Sequence, residues 1–367
     1  MLLPRYKVLG QVNPTSGTQT LLYNTPRHTT TKVSSLVVCN YSNSAAKFNV
    51  IAANTTGAQF YINSNTLISG NDTMIIKNIG LNDNSNVYVT PVNSSNISFS
   101  LFGKEQIKSY EVVTIQYLIV GGGGGGGSAG YGADGGGGAG GLITGTFSVL
   151  TNRNTFVSIQ VGQGGSVNVN GGNSSISCTL NNFNKIALGG GGGGAGQGYY
   201  GTNALDGGSG GGGGGSNGGG IFVGGNATQP GSISGGYGYG GGNGSSIIAG
   251  GGGGGAGGAG AAGGMGVGGA GGIGRLVTIP SSTYTKTYAI GGSGGSGVTG
   301  TDNTGNGGGG GAAGGSGVVI LWWLNNKTNP DSKTNPGPSE ITGSYTANLE
   351  NGYKIYVCTA GNISMTF

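Results

Sequence analysis

Charge is scarce in this chain. Charged residues make up 7% of its 367 positions, and between 121 and 317 they reduce to Asp134, Arg153, Lys185, Asp206, Arg275, Lys286 and Asp302. A nucleic-acid partner requires clustered Lys and Arg to displace counterions from phosphates. The formal net charge of +5 is spread too thinly for that, so no nucleic-acid partner is expected. Histidine is scarcer still. His28 is the only one, set between Arg27 and three threonines, and it reads as an exposed loop residue rather than a catalytic base. No carboxylate pair stands out, and the acids are too sparse for an oxygen cage around a metal. No catalytic residue, no metal ligand and no cofactor are expected, and the chain does not read as an enzyme.

Cysteine is limited to Cys39, Cys178 and Cys358, an odd and widely spaced set without a C-x-x-C pair. That pattern fits neither a disulfide framework nor a zinc site. It fits buried free thiols in a chain made in a reducing compartment. Long apolar runs are missing too. The longest, 318–324, is far below the about 20 residues that span a bilayer as a helix. The first residues, Met-Leu-Leu-Pro-Arg-Tyr-Lys, lack the apolar stretch of a signal peptide, so a soluble chain without a classical export signal is expected. Helical periodicity is absent throughout.

Glycine is what the sequence has in excess. There are 93, and all but ten fall between 121 and 317, against an ordinary usage of about 7%. The chain is therefore modular. The expected divisions are 1–108, 109–326, a Pro-containing linker at 327–340, and a tail at 341–367.

The first segment reads as short strands parted by Asn, Ser, Gly and Asp clusters. Strands are expected at 19–23, 32–39, 47–52, 59–63, 73–77, 86–90 and 96–102. The alternation is clearest where Ile97, Phe99 and Leu101 interleave with Ser98 and Ser100. Seven such runs predict an antiparallel β-sandwich or barrel. In the glycine block, short apolar runs lead into glycine tracts at Val120, Leu188, Val223, Ala249 and Ile290. Further strands are expected at 141–150, 155–161, 275–279 and 318–323. Trp322 and Trp323 point to opposite faces of the last of these. The tail predicts a hairpin of 353–359 with 363–367, turning at 360–362.

Glycine-rich sequence is often disordered, because fixing glycine costs more backbone entropy than fixing any other residue. Disordered tracts also avoid Ile, Val, Leu and aromatics, yet these punctuate this block. Collagen requires a glycine at every third position and abundant proline, whereas the block carries only Pro230 and Pro280. A third arrangement fits: extended left-handed polyglycine II helices, three residues per turn and about 3.1 Å rise. Packed side by side, they bond backbone to backbone, with Cα–H···O contacts between chains. Such a helix at an edge places side chains every third residue. Ala259, Ala262 and Met265, followed by Val267, Ala270 and Ile273, have that spacing.

Glycine runs satisfy G-x-G-x-x-G trivially, and without a following helix the match carries nothing. Gly103-Lys104-Glu105 fails as a phosphate loop, which needs Ser or Thr after the Lys. If the lattice presents a binding surface, it lies where chains turn at its ends. Tyr131, Tyr199, Tyr200, Tyr237 and Tyr239 are the candidate contact residues, since Tyr offers large area and a hydroxyl at low entropy cost. The alternative is that they seal the lattice or cap its turns.

Several stretches resemble the glycine-rich domain of bacteriophage tail-fibre and virion structural proteins. These are Tyr-Leu-Ile-Val before poly-Gly, then Gly-Gly-Leu-Ile-Thr-Gly, Val-Gly-Gln-Gly-Gly, and Gly-Ser-Gly-Val-Val-Ile-Leu. The ending, from Gly352-Tyr353-Lys354-Ile355-Tyr356 to Ile363-Ser364-Met365-Thr366-Phe367, resembles the terminal strand pair attached to it. Residues 20–105 are similar to a small β-domain of cyanophage-type structural proteins.

The resemblance implies an all-β protein: an N-terminal antiparallel β-sandwich, a glycine-rich polyglycine II sandwich and a C-terminal β-hairpin. It implies location in a virion, docking of the N-terminal domain to other virion proteins, an oligomeric arrangement within the particle, and contact of the glycine domain with a bacterial surface receptor. The chain departs from tail-tip adhesins in carrying its own N-terminal sandwich, which leaves tail, baseplate, neck and head open as locations. A purely structural virion role is the alternative. A polysaccharide depolymerase would need Asp134, Asp206 and Asp302 to converge, and an ice-binding scaffold is a more remote possibility.

Overall fold

A computed structural model describes residues 6–26, 29–54, 57–82, 84–107, 112–129, 133–151, 155–325 and 338–367. His28 and Tyr131 lie outside the described residues, as does most of the segment expected to be a linker. The chain forms two compact units, Met1–Tyr110 and Glu111–Phe367.

The first unit is a sandwich of nine strands. They are β1 (Lys7–Val12), β2 (Thr20–Asn24), β3 (Thr29–Asn40), β4 (Ala46–Ala53), β5 (Gln59–Ile68), β6 (Asp72–Ile76), β7 (Ile79–Leu81), β8 (Asn86–Pro91) and β9 (Ile97–Ile107). One sheet runs β1-β9-β3-β6 with β7 also on β3, and the other runs β2-β8-β4-β5. Every pair is antiparallel. The alternation read in the sequence is the cause. Ile97, Phe99 and Leu101 of one sheet are fully buried, as are Phe48 and Val50 of the other. They share one core, where Phe48 and Phe99 meet edge to face at 5.9 Å. All seven expected strands are present. β1 and β7 were not foreseen: β1 buries none of its residues fully and so lacks alternation, and β7 spans three residues.

The second unit joins a barrel-like sheet to a glycine lattice. Its strands are β10 (Val112–Val120), β11 (Leu142–Leu150), β12 (Phe156–Val161), β13 (Ser174–Cys178), β14 (Phe183–Ala187), β15 (Arg275–Val277), β16 (Lys286–Tyr288), β17 (Val318–Leu324), β18 (Glu340–Glu350) and β19 (Tyr353–Thr366). The large sheet runs β11-β10-β17-β19-β12-β13-β14, with β18 added on β19, while β15 and β16 pair separately. The inner face buries Ile115, Ile119, Val149, Ile159, Ile176, Leu321, Trp323 and Met365 in one core. The outer faces of β10, β17 and β19 bury Leu118, Val120, Ile320, Trp322 and Ile355 against Ala139, Ala256, Val277 and Tyr288. Both tryptophans are therefore core, one on each face.

The C-terminal hairpin is longer than expected, and its turn lies elsewhere. β19 is continuous through 360–362 and pairs with β18 across the turn at Asn351 and Gly352. Both turn residues have positive φ, 50° and 78°. The Ala-Gly-Asn stretch taken for a turn is where β19 changes partner, from β17 up to Cys358 to β12 from Gly361 onward. Gly361 supplies positive φ there, at 68°, so the strand bends without ending.

The lattice is built from backbone hydrogen bonds whose direction repeats every third residue. Gly121, Gly124 and Gly127 donate to Gly141, Gly138 and Gly135. Gly122 and Gly125 donate to Gly172 and Val169, and Gly123 and Gly126 to Gly315 and Ala312. The carbonyls repeat with the same period. Those of Gly122 and Gly125 accept from Gly190 and Gly193, those of Gly123 and Gly126 from Gly165 and Asn168, and those of Gly124 and Gly127 from Gly308 and Gly311. One glycine chain is thus bonded to six neighbouring stretches, three antiparallel and three parallel. This is the period of polyglycine II, and it answers the question of where backbone polar groups go without a sheet. Side chains would prevent it: a β-carbon on Gly125 would run into the Ser166 carbonyl, and one on Gly126 into that of Gly309.

Candidate functional site

The strands set the direction of the lattice. Residues 121–127 leave the end of β10, and 135–141 return antiparallel to enter β11. Residues 189–195 leave β14 parallel to 121–127, since the amides of Gly190 and Gly193 reach the carbonyls of Gly122 and Gly125. The same registers place the reversals at 196–201, 216–220, 245–249 and 264–267 at the end remote from the sheet, together with Ala129 and Asp134.

Those reversals are tied to one another. The buried Asp134 carboxylate accepts the Ala129 amide at 3.2 Å and the Gly196 amide at 2.9 Å. The Asn217 amide donates to the Gly198 carbonyl at 2.6 Å, Gly218 to Ser246 at 3.0 Å, and Gly266 to Ile247 at 3.3 Å. The result is a row of turns held by backbone bonds. It presents Tyr199 (67% exposed), Tyr200 (75%) and Met265 (86%), together with exposed Ile247, Ile248 and Val267. Tyr199 and Tyr200 lie ring to ring at 6.5 Å. Ile248 has φ 49°, an outlier for a β-branched residue. The row thus sets exposed apolar side chains on turns held by backbone bonds, with one residue in strain.

The candidate tyrosines separate in this structure. Tyr199 and Tyr200 stand together on the remote row. Tyr237 is half-buried at the opposite end, where it exchanges backbone hydrogen bonds with Leu142, and the Arg275 guanidinium stacks 3.6 Å from its ring centroid. Tyr239 is exposed, and its carbonyl accepts the Gly210 amide, near the sheet end of that stretch. The three aspartates occupy different turns. Asp206 accepts the Asn226 amide and Asp302 the Ser316 amide, so each carboxylate ties its own stretch to another. Met265, Val267, Ile247 and Ile248 were missed as contact candidates. Their signal was present in the sequence, as large apolar residues interrupting glycine where no strand follows.

The fold defines a class: an all-β protein in which side-chain cores within the sheets are joined to a lattice of glycine helices paired by backbone bonds. Residues 106–324 match the glycine-rich domain family, and the chain belongs to that family. No curated protein matches the chain, and no solved structure does.

Proposed function

We propose that this chain is a bacteriophage virion protein, a tail-fibre or appendage adhesin that contacts the host cell surface. In this reading the N-terminal unit docks to other virion proteins and the glycine lattice carries the receptor-facing turns. The observation that supports contact is the remote row of Tyr199, Tyr200, Ile247, Met265 and Val267, exposed on turns tied by backbone bonds. Large apolar side chains gathered on neighbouring exposed turns are a common mark of an interaction surface. Preordered turns bind at lower entropic cost than flexible ones.

The test is binding of the labelled full chain to a panel of bacterial strains. Binding to a subset of strains is expected, with loss of about tenfold or more when Tyr200 and Met265 are replaced by Ser, the loss typical of contact residues. Labelling of no strain, or equal labelling by the variant, removes the adhesin reading and leaves the structural one.

A further inference from the structure

The large sheet leaves β11 and β14 without a shared ladder, and residues 229–237 occupy the gap. Leu142 and Tyr237 exchange backbone hydrogen bonds at 3.1 and 2.9 Å. On the other side the Ile186 amide donates to Ser234 Oγ at 3.0 Å, and the Leu188 amide to Gln229 Oε1 at 2.7 Å. Between this plug and the strands remains a cavity of about 310 Å³, lined by Tyr117, Ile143, Thr144, Lys185, Ser234 and Tyr237.

The lining is rich in unused polar capacity. Lys185 Nζ donates to the Ser234 carbonyl at 3.3 Å, and among the described residues no carboxylate pairs with it. The Tyr117 hydroxyl is pushed to a higher pKa by burial and bonds to none of the described residues. Thr144 is exposed at the rim. Tyr237 is steadied by Arg275 stacked on its ring, leaving a fixed aromatic wall. Ile143 is the only aliphatic side chain among these six.

We propose that this seam cavity binds a carboxylated sugar residue, with Lys185 pairing its carboxylate, Tyr117 and Thr144 bonding its hydroxyls, and Tyr237 forming one wall. Size argues against a bare inorganic anion, since 310 Å³ is about ten times the ~30 Å³ share of one water. It matches the lower end of small-molecule pockets, about 300 Å³. Charge argues against an apolar ligand, which would desolvate the Lys185 ammonium without pairing it. A neutral sugar would leave the same ammonium unmatched. The site lies at the sheet end of the lattice, opposite the row of turns, and does not rest on the adhesin reading.

Calorimetric titration of the full chain with D-galacturonate and D-glucuronate tests it, with D-galactose as the neutral probe and sodium sulfate as the bare anion. At least one uronate is expected to bind at millimolar concentration or below, about tenfold more tightly than galactose or sulfate, as a charge-assisted hydrogen bond implies. Lys185→Met should weaken uronate binding about tenfold, and Lys185→Arg should restore part of it, because the cation rather than the stem makes the contact. Thr144→Val, at an exposed position, should weaken binding with an unchanged melting temperature, which keeps the test independent of folding. Equal binding of galactose, equal binding of sulfate, no binding of either uronate up to about 20 mM, or a Lys185→Met variant that binds normally would each overturn the proposal.

Discussion

Phe147 and Phe183 stack with ring centroids 4.8 Å apart and planes 19° from parallel, across β11 and β14, strands that share no ladder. Tyr117 meets Phe183 edge to face at 5.6 Å and approaches Phe147 at 6.1 Å. The barrel is closed here by aromatic side chains where backbone bonds are missing. Such pairs add to the area they bury. Phe147→Ala should therefore cost about 3–5 kcal/mol in denaturant unfolding, with the slope against denaturant unchanged. A loss below about 1 kcal/mol would show that the plug at 229–237 closes the seam alone.

The glycine lattice makes a sharper prediction, because its interior tolerates no β-carbon. A methyl group on Gly125 would have to displace the Ser166 carbonyl and break bonds to two neighbours. Gly125→Ala should lower stability by more than about 4 kcal/mol, or prevent folding. Ala262 occupies an edge position and is exposed, so Ala262→Ser should stay within about 0.5 kcal/mol. Thermal melts of the two variants compare the interior of the lattice with its rim.

That contrast was partly legible in the sequence. Ala259, Ala262, Met265, Val267, Ala270 and Ile273, spaced by three, are all exposed. The reason is visible in the bonds around them. Gly260 and Gly263 donate to Gly240 and Asn243, while the Gly258 and Ala261 carbonyls accept from Gly255 and Gly252. The third direction is left for side chains. Strands with alternating burial, such as β9, were equally legible. What the sequence did not disclose was partner choice. Uninterrupted glycine carries no marker of which stretch lies beside which, so the six neighbours of 121–127 had no signal. Ala360-Gly361-Asn362 has the composition of a turn, yet pairing of Gly361 and Asn362 with β12 continues the strand through it, where the ladder to β18 is bulged. The remote row combines residues from three reversals, and of these only Tyr199 and Tyr200 were expected as contact residues.

Alkaline pH should weaken the fold before neutral pH does. Burial raises the Tyr23 hydroxyl to about 12, reinforced by the Glu105 carboxylate, which accepts its hydrogen bond at 2.7 Å. Burial likewise raises the Cys358 thiol to about 12. Each group favours its protonated form in the folded chain, so the unfolded chain releases protons first and stability falls as pH rises. The contribution is intact below about pH 9, the ordinary range of a thiol, and is lost between there and about 12. Melting temperature should decline over that window, and Tyr23→Phe should reduce its slope. A flat profile up to pH 11 would contradict both shifts. Thiol labelling gives a second readout at about pH 8, where Cys178 and Cys358, buried and raised, should react more slowly than half-buried Cys39.

Ile248 couples strain to the proposed contact. Its φ of 49° lies in the left-handed region, where a β-branched residue costs about 1–3 kcal/mol. Its amide is fixed by the Ser216 carbonyl at 2.8 Å, and its side chain is exposed. Nothing in the packing of the lattice offsets that cost, since the side chain adds no core. Glycine adopts this conformation without strain, so Ile248→Gly should raise stability by about 1 kcal/mol. If the row is the receptor-facing surface, the same variant should bind host cells less well, because it removes an apolar contact from the middle of the row. Gain of stability with loss of binding is the expected pair, read by thermal melts and by the strain-panel assay. Gain of stability with unchanged binding would place the contact elsewhere on the chain.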